Sequence, residues 1–206
     1  LLPKAFGEHN LRARKLDLRE LADRIDWTPF FHFWGFKGKF PEIIYTHEEA
    51  DHTYQAALET LGQIIAGNEF EASVLVKFFN ARSENNEIIL ENGYHFPMLR
   101  QQMRNSEYLS LADFISPDSA FKSTIGIFCL KVSDTHKCTD CPDFNQLIRE
   151  SLCARLTEAL AEWMHEQLSE GLHMIRPAFG YPACPDHSLK KEVFQLLNAP
   201  ADIGVE

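Results

Sequence analysis

Three stretches of the chain carry apolar residues at helical spacing. Leu16, Leu18, Leu21, Ala22 and Ile25 recur at near-helical intervals, and Trp27-Thr28-Pro29 disfavours further helix at Thr28, which puts Asp26 at a helix exit. A second stripe joins Ala50, Tyr54, Ala57, Leu58, Leu61, Ile64 and Ile65, with Thr46 as the expected N-cap and Gly67 beyond the end. The third and longest helix is expected after Pro142, where Phe144, Ile148, Leu152, Leu156, Ala159 and Trp163 follow one another at spacings of three and four, closing at Gly171. Between the second and third the period changes. "ASVLVKFF" (Ala72 to Phe79) and "NEIILE" (Asn86 to Glu91) are β-rich runs, with the polar "NARSEN" between them as a hairpin loop. "HFPMLRQ" reads as a further strand that Pro97 confines to an edge or bulge, and "STIGIFCLKV" as a buried one.

"PFFHFWGFKGKFPEII" is too aromatic for a solvated loop and is expected as buried connecting structure, while "SLKKEVFQLLN" near the end reads as a short helix. The order helix, helix, strands, long helix, loop, short helix lacks the alternation of a doubly wound fold. The expectation is an α+β fold with an antiparallel or mixed sheet. With no Ser/Gly/Pro-rich linker to divide it, the chain reads as one domain over residues 1–206.

Composition narrows the class. Hydrophobic residues make up 45% of the chain and include sixteen Phe, enough to offset the entropy of ordering. A net charge of −10, spread along the chain, leaves any phosphate-binding footprint to be local, so nucleic acid is not an expected partner. No apolar run approaches the ~20 residues that span a bilayer. Lys4, Glu8 and Arg12 stand where a signal peptide would be apolar, and a cytoplasmic location is expected. Five cysteines are an odd number, which points to reduced thiols or a metal rather than a disulfide framework.

Candidate chemistry concentrates in "RPAFGYPACPDH", Arg176 to His187. Arg176 is a permanent cation whose planar fork suits a carboxylate. Pro177, Pro182 and Pro185 keep the segment out of helix or central sheet, Gly180 permits close backbone approach, and Tyr181 offers a flat face and a hydroxyl. The competing reading is a connector in which Arg176 forms a surface ion pair. Cys138-x-x-Cys141 and Cys184-x-x-His187 have matching gaps, so a tetrahedral Cys3His zinc site stays open at this point. Asp26 lies between apolar neighbours and is either a cap carboxylate or a ligand contact. Glu158 and His165 are off the apolar stripe of the long helix, where a solvated face competes with a groove beside the loop. His32, Trp34 and His95 read as packing residues. No GxGxxG, Walker loop, GxSxG or HExxH occurs in the chain.

"IDWTPFF", "GKFP", "LRQQ", "LADFISP", "LTEALAEWMHE" and "IRPAFGYPACPDH" together, in this order along nearly the whole chain, resemble the activation domain of cobalamin-dependent methionine synthase. The resemblance implies a C-shaped α+β domain with a central antiparallel sheet flanked by helices. It implies binding of S-adenosylmethionine and docking on a cobalamin-binding domain. There an electron from flavodoxin or a related reductase, with a methyl group from S-adenosylmethionine, restores oxidised cobalamin. By motif position, Asp26 and Glu158 are the acidic contacts, Arg176 holds the ligand carboxylate, and Ala178 offers backbone contacts. Gly180 and Tyr181 shape the surface facing ligand and corrin. No metal and no catalytic side chain is implied. The segment between His165 and Arg176 is shorter than in the typical family member. The chain also stops at Glu206, before the family's C-terminal segment and its further ligand-facing Tyr. A docking module that no longer binds the methyl donor, and a zinc-stabilised domain, are the alternatives.

Overall fold

The fold is that of a computed structural model, which describes residues 11–104, 107–136, 143–169 and 174–205. Its strands form a five-stranded sheet: β1 (Leu11–Leu16), β2 (Phe70–Glu84), β3 (Glu87–Leu90) and β4 (His95–Pro97) are neighbours in that order, and β5 (Ser123–Asp134) also pairs with β2. Among the described residues seven α-helices accompany it: α1 (Leu18–Ala22), α2 (Thr28–Phe33), α3 (Glu42–Thr46), α4 (Glu48–Gly67), α5 (Asp143–Ser169), α6 (Leu189–Leu197) and α7 (Ala199–Ile203). The β2-β3-β4 pairs are antiparallel, so the α+β class expected from the sequence holds. Contacts divide the chain into two units, one of Arg14–Val74 with Leu130–Gln167, the other of Leu1–Ala13, Leu75–Cys129 and Leu168–Glu206.

The helical unit is built on α4 and α5. Buried on α4 are Ala50, Thr53, Ala57, Leu61 and Ile64, close to the stripe read from the sequence, while Leu58 falls outside it and is exposed. Thr46 does not cap α4. It ends α3, where its Oγ1 donates to the Ile43 carbonyl at 3.2 Å, and the acidic Glu48, Glu49 and Asp51 offset the N-terminal dipole of α4 instead. The C-terminus of α4 closes on Asn68 in the left-handed conformation, one residue past Gly67. On α5, Ile148, Leu152, Leu156, Leu160 and Trp163 are buried, each large side chain contributing about 2 kcal/mol.

Its first helix is shorter than periodicity alone suggests. Leu16 ends β1, Asp17 accepts the Arg19 N–H at 3.0 Å, and this cap starts α1 at Leu18. Thr28-Pro29 opens a new helix rather than preventing one: Pro29 falls in the first turn of α2, where its missing N–H forfeits no bond. The aromatic run is therefore helical at both ends, and its rings form one cluster. Phe30 and Phe31 are fully buried, Trp27 meets Tyr54 edge-on at 4.9 Å, and Phe40 lies 5.2 Å from Tyr54. Arg149 of α5 ties the unit together. Its guanidinium binds both Asp134 oxygens and Glu69 Oε2, all at 2.7 Å, and lies 5.2 Å from the Phe70 ring.

In the second unit the β2-β3 hairpin turns at Asn85-Asn86, with φ of 50° and 64° and Glu84 opposite Glu87. Both central residues have positive φ, the signature of a tight type I′ turn. The "NARSE" residues expected as loop are strand, with Ala81 buried opposite Leu90 and the polar side chains less buried. Leu75, Ile88, Leu90 and Phe96 pack in one core cluster with Leu189, Val193 and Leu197 of α6. Lys77 Nζ donates to the Leu196 carbonyl at 3.1 Å. Arg100 staples the segment after β4: its guanidinium binds Asp113 at 2.7 and 2.8 Å and Asn86 Oδ1 at 2.9 Å.

Candidate functional site

Arg176 to His187 forms a loop with one residue in the core and the rest half-buried or exposed. Cys184 is only 3% exposed and belongs to the core cluster, with Phe179 packed partly buried against it. Ala178, Gly180 and Tyr181 are exposed, Tyr181 at 62%. Backbone bonds hold this arrangement. The Tyr181 N–H donates to the Ala178 carbonyl at 3.1 Å, the Gly180 N–H to the Cys184 carbonyl and the Cys184 N–H to the Tyr181 carbonyl, both at 2.9 Å. The Ala183 carbonyl accepts from the Leu111 N–H at 2.9 Å, anchoring the loop to the 3-10 turn Leu111–Phe114 of "LADFISP".

Gly180 has a φ of +97°, a conformation that side chains oppose, so glycine is required there. The prolines keep the loop out of regular structure, as the sequence suggested. The loop is also not a free connector, since it is sewn to the core through Cys184 and Leu111. Arg176, at its start, is half-buried. Among the expected site residues, Arg176, Ala178, Gly180 and Tyr181 are thus brought onto one loop of the second unit.

Asp26 and Glu158 lie in the helical unit. Asp26 is exposed in the α1-α2 connector, and its Oδ1 accepts the Thr28 N–H at 3.0 Å, which makes it a turn carboxylate just before α2, whose N-cap is Trp27. Arg24, two residues earlier, pairs with Glu166 of α5 at 2.8 Å, which fixes this connector against the helix that carries Glu158. Glu158 is exposed and makes no hydrogen bond or ion pair among the described residues. His165 is half-buried on the same helix. The Arg24–Glu166 pair was not foreseen. Its members are 142 residues apart, and no local pattern signals such a partner.

Cys138 and Cys141 lie outside the described residues, as does Gly171. Of the other two candidate zinc ligands, Cys184 is a core residue whose thiol burial pushes up, with Asp186 adding to the shift, and His187 is exposed. His95 is an exposed partner of Glu87 at 3.0 Å rather than a packing residue. His32 is also exposed, bonded through Nε2 to the Gly38 carbonyl at 3.0 Å, whereas Trp34 packs on Phe144 at 5.3 Å as expected. Among the described residues no helix is long and apolar enough to cross a membrane.

Residues 17–206 match the family model described as vitamin B12 dependent methionine synthase, activation domain. Among solved structures, the MetH reactivation domain bound to AdoHcy aligns with 100% of this chain and 74% of that one. The TM-score is 0.80 at 24% sequence identity, a likeness of fold.

Proposed function

The chain belongs to the activation-domain family of vitamin B12 dependent methionine synthase, and from that membership we propose that it binds S-adenosylmethionine and serves the reductive remethylation of cobalamin. Residues 1–206 act in this reading as one cytoplasmic activation domain, whose partners are the cobalamin-binding domain and flavodoxin or a similar electron donor. The observation that carries the reading is the loop from Arg176 to His187, pinned by Cys184 and turning Ala178, Gly180 and Tyr181 to solvent.

Each residue has a part suited to its chemistry. Arg176 grips the ligand's carboxylate with a two-point fork. Because Gly180 has no side chain, a ligand can lie against the Ala178–Gly180 backbone, and Tyr181 offers a flat face beside it. Asp26 spends one oxygen on Thr28 and keeps the other for the ligand's ammonium, and Glu158 is the second acidic contact. Carboxylates also favour a sulfonium over the neutral thioether left after methyl loss, so the same groups hold the donor more tightly than its product. Cobalamin, carried on its own domain, would supply a reduced cobalt as the methyl acceptor. This chain's part is to bind the donor and orient its methyl group.

The test is transfer of an isotope-labelled methyl group from S-adenosylmethionine to the cobalt of cobalamin on its binding domain, with reduced flavodoxin and this chain present. Label that requires the chain and is lost with Arg176→Ala supports the proposal. Label that arrives equally without the chain contradicts it. Association with the cobalamin domain that is indifferent to S-adenosylmethionine would instead identify a docking module.

A further inference from the structure

His187 ends the ligand-facing loop and makes an unusually close approach to it. A Cβ built on Gly180 would lie 2.4 Å from both Cε1 and Nε2 of the imidazole, so the ring fills the space a side chain at 180 would occupy. The backbone that carries the ring is held on both sides. The His187 carbonyl accepts the Lys190 N–H at 3.2 Å, and Asp186 Oδ1 accepts the Ser188 N–H at 2.8 Å, which ties the residue to the start of α6. His187 also lines a groove of about 510 Å³ with Lys190, Lys191 and Phe194 of α6.

We propose that His187 is the positioning residue of the ligand-facing turn: its imidazole, carried on backbone held at the start of α6, packs over the Gly180 backbone and holds the Ala178–Tyr181 turn in the conformation that meets the ligand. The ring is exposed, so its contribution is to the order of the turn and not to the stability of the core. Gly180 is then required twice, for its positive φ and for the room it leaves the ring. The inference rests on the S-adenosylmethionine reading only for its functional consequence.

The experiment has two arms on the intact chain. In the first, amide exchange is followed at Gly180 and Cys184, whose N–H groups close the turn. His187→Ala is expected to speed both by about tenfold, with the melting temperature little changed, and His187→Phe, which restores a flat ring, to return them to the original rate. In the second, titration with S-adenosylmethionine is expected to show affinity reduced about fivefold in His187→Ala, the cost of re-ordering the turn on binding, and recovered in His187→Phe. Gly180→Ala should weaken binding less in the His187→Ala background than in the original chain, because the clash with the ring has gone. Unchanged exchange in His187→Ala, no recovery with Phe, or strictly additive losses for the pair would overturn the assignment. If the original chain takes up no S-adenosylmethionine, the functional reading falls, while the exchange arm still decides the role of His187.

Discussion

Replacing Arg149 with Met keeps much of its aliphatic stem and removes its charge, which isolates the ion cluster of the helical unit. The Arg149 side chain is 12% exposed, and its partners Glu69 and Asp134 are 25% and 30% exposed, so all three are largely withdrawn from water. Removing the cation leaves two carboxylates facing one space with no counter-charge. A fully buried ion cluster broken in this way costs 3–5 kcal/mol; with this degree of solvent access the loss should be about 2–3 kcal/mol. For a chain of this size that is a fall in melting temperature of roughly 5–10 °C.

Its pH dependence gives a second readout. Burial pushes the Asp134 carboxyl up, but the Arg149 guanidinium and the His136 N–H outweigh it and hold the group below the usual carboxylate range. A folded pKa below the unfolded value contributes stability above about pH 4, and that stability is lost as pH falls through the folded value. In Arg149→Met burial is opposed only by the amide and the charge of His136, so the folded pKa of Asp134 rises, the acid-side loss from this group shrinks, and the variant's deficit should be smaller at pH 4.5 than at pH 7. Urea unfolding followed by circular dichroism at pH 7 and pH 4.5 measures both effects. A loss below about 0.5 kcal/mol, equal at the two pH values, would refute the account of the cluster.

Substitutions at two further positions separate roles that share one side chain or one turn. Asp26→Asn retains an oxygen to accept the Thr28 N–H and should leave stability nearly unchanged, whereas Asp26→Ala should lose about 1 kcal/mol; both should weaken S-adenosylmethionine by about tenfold in calorimetric titration if the charge meets the ligand. At the β2-β3 turn, Asn85→Gly should be neutral or slightly stabilising in thermal melts, while Asn85→Val, forced into a φ of 50°, should cost about 1–2 kcal/mol.

How far the sequence could be read differed by element. The α4 stripe was legible because that helix buries one face, and periodicity records that directly; on α5 Ile148, Leu152, Leu156, Ala159 and Trp163 of the stripe are buried, but Phe144 is exposed and burial extends to Ala161 and Met164. β1 was not: "LRARKL" alternates cations with small and apolar residues, and only pairing with β2, far along the chain, makes it a strand. The second half of β2 was mistaken for a loop because Asn80, Arg82 and Glu84 are polar strand residues, and Asn85-Asn86 was the true turn signal. At the site, local chemistry was legible: the prolines and Gly180 announced a fixed loop, and the run of shared motifs named the family later matched over residues 17–206. Contacts between distant residues were not, which is why Arg24–Glu166, Leu111 bonded to Ala183 and the ring of His187 against Gly180 had no forewarning.

Calorimetric titration of the chain with S-adenosylmethionine, beside Arg176→Ala and Arg176→Lys, tests the central claim most directly. Saturable one-to-one binding, weakened at least about a hundredfold by Ala and only partly recovered by Lys, which lacks the planar fork, is the expected result. No heat of binding to the intact chain, or equal affinity in all three proteins, would contradict it.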